Sequence, residues 1–225
     1  MPVSPKGKFK WAKLFTPEKK FENQEPHGVY SIDLILSKED AAPMQKLLKE
    51  MDDAHFKKSA NEALVDFRKN NGGKPDKFKD GLAFAKAKEL KRKPIPGKPY
   101  KDENLEETGE IIFTFSEVGK WQKKDKKTGD VIQEWDMKPE VVDAKRRPWD
   151  ESKLIGHDSE GKVQYEIKPH NFPTIGVSTK LRKVQVINLV EYHGGGEKIQ
   201  FDDEASEEAL ETAEELFNEE ADVPF

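Results

Sequence analysis

Apolar residues along this chain recur at two periods. Between residues 29 and 36, Tyr30, Ile32, Leu34 and Leu36 share one face of an extended strand, while Ser31 and Asp33 fall on the other. Ile35 is the exception, and Gly28 leaves room for a turn before the strand. From Met44 through Leu47, Leu48, Met51, Ala60, Ala63, Leu64 and Phe67 the spacing becomes helical. Ser37 and Asp40 offer a capping box, Pro43 sits near the first turn, and Asn70-Asn71-Gly72-Gly73 ends the run. A second helix is predicted within residues 76–90, around Phe78, Leu82, Phe84 and Leu90. Pro94, Pro96, Gly97 and Pro99 then demand an extended loop.

Period two returns at Ile111, Phe113 and Phe115, and continues or restarts over 118–122. Lys126-Lys127-Thr128-Gly129-Asp130 reads as a hairpin tip, with residues 131–135 returning from it. A short strand is predicted over 141–143. Val163, Tyr165 and Ile167 alternate with Lys162, Gln164, Glu166 and Lys168, and residues 181–190 form a strand with apolar residues on both sides. Five main strands with one helix-bearing excursion over 37–101 fit a Greek-key barrel such as the OB-fold. A split α+β sandwich fits the same string. Residues 1–27 interleave Lys6, Lys8, Lys10 and Lys13 with Phe9, Trp11 and Phe15. Such an arm covers a sheet edge, touches a nucleic acid, or docks its aromatics in the core.

Composition narrows the class. Only 34% of residues are hydrophobic and 37% are charged, which predicts a modest core. Thirteen Phe, four Trp and four Tyr are too many for a featureless disordered chain. The absence of cysteine excludes disulfides and cysteine-ligated metal centres. No apolar run resembles a signal peptide or approaches the roughly 20 residues that span a bilayer, so a soluble intracellular protein is expected. The formal charge of -5 hides a division. Residues 202–225 hold eleven of the 44 acids and no basic residue, which leaves 33 acids against all 39 Lys and Arg before them. The body is therefore about +6 and the terminal segment -11, a cationic surface with an internal competitor for anions.

Catalytic patterns are missing. The five histidines are scattered, and there is no phosphate-binding loop, zinc-binding helix or nucleophile elbow. Asp52-Asp53 and Asp202-Asp203 could hold Mg²⁺, but solvated charge is their simpler role. No catalytic residue, metal or cofactor is expected, and a metal nuclease stands only as an alternative. Non-specific binding of single strands needs cations for phosphates and flat side chains for unpaired bases. Both recur together. Lys120, Trp121, Lys123 and Lys124 run to the hairpin tip and Trp135 lies on the return; Arg146 and Arg147 precede Trp149; Lys162, Lys168, His170 and Phe172 form a third stretch. Competing structural roles stay open: the hairpin lysines solvate a turn, Trp121 and Trp135 pair across strands, and Tyr165 belongs to the apolar face. Trp121, Trp149 and Phe172 are the sharper candidates because cations or turn residues border them.

The ordered pieces Gly28-Val29-Tyr30 with Asp33-Leu34, Phe113–Phe115 before a lysine-rich turn, Ile155-Gly156, Lys162-Val163-Gln164-Tyr165 to Pro169, the run 176–189, Gly194-Gly195-Gly196-Glu197 and an acidic arm ending in Phe225 resemble the single-stranded DNA-binding proteins of tailed phages. The resemblance implies a five-stranded OB-fold barrel over residues 1–201, with the helical insertion, and a disordered acidic tail over 202–225. It implies non-specific binding of single-stranded DNA in phage replication, recombination and repair, in the cytoplasm of the infected bacterium. It places Tyr165 and Pro169 on the strand bordering the DNA cleft and His170 and Phe172 where the family carries binding aromatics, although a tyrosine is expected at His170. The tail, through Asp222 and Phe225, would contact the phage DNA polymerase and helicase–primase and compete with DNA, and a homodimer is a further expectation. An adaptor acting through the acidic arm alone is the other alternative.

Overall fold

The alternating segment 29–36 becomes an interior strand of the sheet, paired on both edges, so its backbone polar groups are satisfied while its apolar face is buried. The computed structural model describes residues 1–19, 27–72 and 76–192. The acidic segment, with Asp222 and Phe225, and the Gly194-Gly195-Gly196 stretch lie outside the described residues. The strands are β1 (Gly7–Glu18), β2 (Val29–Leu36), β3 (Lys98–Lys101), β4 (Glu107–Val118), β5 (Lys120–Lys124), β6 (Val131–Asp136), β7 (Glu140–Val142), β8 (Glu160–His170) and β9 (Gly176–Asn188). Two helices, α1 (Lys38–Asn70) and α2 (Gly81–Ala87), lie between β2 and β3.

The expectation of a five-stranded barrel is corrected. The sheet has seven strands in the order β3-β4-β2-β1-β8-β9-β7, with β3 and β7 at its ends. β4 and β9 meet additionally in parallel, at Ser116 opposite Lys180. The hairpin strands β5 and β6, counted among the main strands from sequence, form a separate two-stranded sheet. Gly119 marks the break: any Cβ there would collide with the His27 carbonyl, and the chain turns out of the sheet at that point. Two strands escaped the sequence reading for physical reasons. In β1 a register shift between Lys10 and Lys13 destroys the period of two, and β3 is short and holds Pro99 at the sheet edge.

The core joins Phe9 and Leu14 of β1, Ile32 and Leu34 of β2, Phe113 and Phe115 of β4, Val163 and Tyr165 of β8, and Leu181 and Val184 of β9, all essentially inaccessible to water. Helix α1 covers this layer with Ala41, Met44 and Leu48. Ser37 caps it, accepting the Asp40 amide at 3.1 Å. Its last turns pack on α2, where Phe67, Phe78 and Phe84 form a ring cluster with centroids 5.2–5.8 Å apart. The second helix is shorter than predicted: Asp76 is drawn off by Arg68 at 2.7 Å, and Asp80 caps the helix by accepting the Ala83 amide at 2.8 Å.

Candidate nucleic-acid interface

β8 and β9 form one long antiparallel ribbon, and the turn between them, 171–175, carries Phe172. Its ring is 88% exposed. Leaving a large aromatic in water has no packing benefit, so what holds the turn matters. Four sets of contacts brace it. His55 of α1 bonds the His170 carbonyl at 3.1 Å, Ser59 donates to the Asn171 side chain at 2.8 Å, and the His170 ring meets the Thr174 carbonyl through Nδ1 at 3.0 Å. From outside, Lys93 N–H donates to the Ile175 carbonyl at 2.8 Å, and Ile175 N–H to that of Lys91 at 3.0 Å.

The segment 91–93 is itself anchored by Arg92, which donates to Asp52 at 2.6 Å and also engages Asp53. Asp52 is completely buried. The expectation of solvated charge is thus corrected for Asp52, while Asp53 stays half exposed, and the guanidinium beside both disfavours metal binding. Among the described residues no cluster of His, Asp or Glu could hold a metal ion, which removes the support for a metal nuclease. Exposed Lys91 and Lys93 flank the Phe172 turn. Neither was singled out in sequence. The signal was the excess of ten Lys and Arg over three acids in 74–101, which does not reveal which of them the fold returns to the turn.

The other predicted residues separate into distinct groups. β4 and β9 run parallel with Ser116 opposite Lys180, so the Phe172 turn lies toward Ile112, while the hairpin leaves the opposite end of β4. Trp121 and Phe172 therefore do not converge on one groove. Trp121 faces Trp135 across the β5–β6 ladder with ring centroids 4.7 Å apart, and they remain 47% and 37% exposed. They brace the hairpin as a pair and present its outer ring surfaces together. Lys120 is held by Glu134 at 2.6 Å, which raises the Lys120 pKa and lowers that of Glu134. Arg147 is likewise held by Asp143 at 2.6 Å. Lys123, Lys124, Arg146, Lys162 and Lys168 make no ion pair with another described residue.

Three aromatic expectations change. Tyr165 is 1% exposed and packs on Phe115 at 5.2 Å, so it is core and cannot stack a base from that position; burial raises its pKa. Trp149 is half-buried against the core, with its indole N–H donated to the Lys153 carbonyl at 2.9 Å. His170 is committed to the turn, and supports Phe172 instead of standing beside it as a second platform. At the far end of the ribbon, Arg146, Lys162 and Lys183 share a cavity of about 430 Å³ with Gln164 and Gln185. Lys183 is paired with Glu140 at 2.7 Å, which leaves Arg146 and Lys162 as its two unpaired cations. Trp11, 60% exposed on β1, is an aromatic that was weighed only as part of an N-terminal arm.

The family model described as single-stranded DNA-binding protein of bacteriophage T7 matches residues 9–192. The single-stranded DNA-binding protein of Enterobacteria phage T3 is 30% identical over 176 residues, spanning 76% of this chain and 67% of that protein. The crystal structure of the single-stranded DNA-binding protein encoded by bacteriophage T7 shares the fold, with a TM-score of 0.51 at 24% identity over 91% of this chain and 94% of that one. A family match across the folded body and a relative at 30% identity lead to one conclusion: the chain belongs to the family of phage single-stranded DNA-binding proteins.

Proposed function

We propose that this chain binds and protects single-stranded DNA without base preference, using the outer surface of the β8–β9 ribbon. The observation that carries the reading is Phe172, a ring left almost wholly in water on a turn that four sets of contacts hold in place. A preorganised aromatic stacks any base, because every base has a π-face. Lys91, Lys93 and Lys168 beside the turn, and Arg146 and Lys162 at the far end, supply charge for the phosphates. The role is that of a non-catalytic binding protein in phage DNA replication, recombination and repair.

The test is a titration with oligo(dT) at several salt concentrations. Wild-type binding should weaken steeply with salt as phosphate neutralisation releases counterions. Phe172→Ala should lose about 1–3 kcal/mol of binding with an unchanged thermal midpoint. Equal affinity of the two proteins would remove Phe172 from the site, and salt-insensitive binding would remove the phosphate track.

The acidic segment 202–225 supplies the second half of the proposal. It competes with DNA for the cationic body and recruits the phage DNA polymerase and helicase–primase, with Asp222 and Phe225 as the contact. Charge alone does not require Phe225, whereas an apolar pocket on a partner would read it. A homodimer and a location in the host cytoplasm complete the picture. Among the described residues no helix is long and apolar enough to cross a membrane.

A further inference from the structure

Trp11 stands in the middle of β1, two residues after Phe9 and three before Leu14, both fully buried. Strict alternation would turn Trp11 toward the core with Phe9. The register shift between Lys10 and Lys13 turns it outward instead, and its φ is +50°, a left-handed backbone that a tryptophan adopts only at a cost. The ring is backed on one side: His157 packs against it at 4.6 Å, with the planes at 82°. Lys8, three positions earlier on the same strand, is exposed. Lys10 reaches over the ring of Tyr100 at 5.6 Å, and its pKa is raised by the Tyr100 hydroxyl and, to a smaller extent, by the Asp158 and Glu103 carboxylates. Bulges of this kind re-aim side chains at binding surfaces. A lone exposed aromatic needs no explanation, but one turned out of a core strand on a strained, bulged backbone and propped by a second ring does.

We infer that Trp11, propped by His157 and flanked by Lys8 and Lys10, is a second stacking platform for an unpaired nucleobase. The inference rests on the single-strand-binding reading and extends its footprint. β1 joins β8 at Gly7–Gly161 and Lys8–Glu160, and His157 lies three residues before β8 begins. Trp11 is therefore at the opening end of β8, and Phe172 is beyond its far end. Eleven strand residues at about 3.3 Å each separate the two ends by roughly 35 Å. Lysines flanking a flat ring favour a nucleic acid over an apolar protein partner or a second copy of the chain.

The test compares Trp11→Ala and Trp11→Phe with wild type on long oligo(dT). Trp11→Ala should bind roughly 5- to 150-fold more weakly, and Trp11→Phe, which keeps a stackable ring, should recover most of the loss. Part of the DNA-induced quenching of tryptophan fluorescence should also vanish in Trp11→Phe. Should wild type bind with steep salt dependence and Phe172→Ala weaken it, while Trp11→Ala leaves affinity unchanged, this inference fails and the broader reading survives. Should wild type not bind at all, the broader reading fails first. A change in sedimentation caused by Trp11→Ala in the absence of DNA would make the ring a contact between copies, and overturn the assignment. Both variants are compared at equal thermal midpoint, and Trp11→Phe serves if Trp11→Ala does not fold.

Discussion

A single aromatic side chain can serve the core or the ligand, and burial decides which. Tyr165 and Phe172 lie seven positions apart on and after the same strand, yet one is sealed against Phe115 and the other stands in water. Truncating them should have opposite effects. Tyr165→Ala removes a large buried ring and should cost about 3–5 kcal/mol of folding stability, read as a lower urea midpoint. Phe172→Ala should leave that midpoint where it is and act on affinity alone. A Tyr165→Ala protein with wild-type stability would show that the ring is not the core member its burial makes it. The distinction was partly legible in sequence. Tyr165 alternates with Val163 and Ile167 and so reads as core, and only the family resemblance placed it at the cleft. The brace around Phe172 was not legible, because His55, Ser59 and Lys93 lie 79 to 117 positions away and nothing local marks them as partners.

At the scale of elements, strong periods were read correctly and broken ones were lost. β2 and α1 follow the predicted boundaries closely, because alternation and helical spacing there are clean. β1 was lost because a bulge interrupts its period, and the short edge strand β3 because proline masks it. The hairpin was legible from its tip, but its separation from the sheet was not, since that depends on the collision space at Gly119. The separation has an energetic consequence. Val131, Ile132, Trp121 and Trp135 are all exposed, so the hairpin buries little against the body. Replacing residues 120–136 by a short linker should leave the thermal midpoint nearly unchanged. It should also reduce the slope of log affinity against log salt by about 0.7 for each phosphate-contacting lysine removed. An unchanged slope would mean that Lys123 and Lys124 do not touch the DNA backbone.

For the whole molecule, charge is distributed so that the protein carries its own anion. The body is about +6 and residues 202–225 are -11. Truncation after Phe201 should tighten binding of single-stranded DNA at low salt and converge with wild type at high salt, where the attraction is screened. On the proposed role of the tail, it should also abolish pull-down of the phage DNA polymerase and helicase–primase. Identical low-salt affinities would refute the competition. This division was readable from composition alone, since charge counting needs no fold. The location of the surface it competes for was not, because Arg146, Lys162, Lys91 and Lys93 come from three separate stretches that only the sheet brings to its two ends.

The mount beneath Phe172 ties two regions of the protein into one thermodynamic cycle. Helix α1 touches the turn through His55 and Ser59, and the buried Asp52 on the same helix fixes the flanking segment through Arg92. DNA held by the turn must then favour the ordered helix by the same free energy with which the helix favours DNA. On the proposed site, fraying of α1 through His55 and Ser59 should lower affinity while the sheet stays folded. On the proposed site, the helical insertion is thereby a support for the turn, and loss of its His55 and Ser59 contacts should weaken DNA binding.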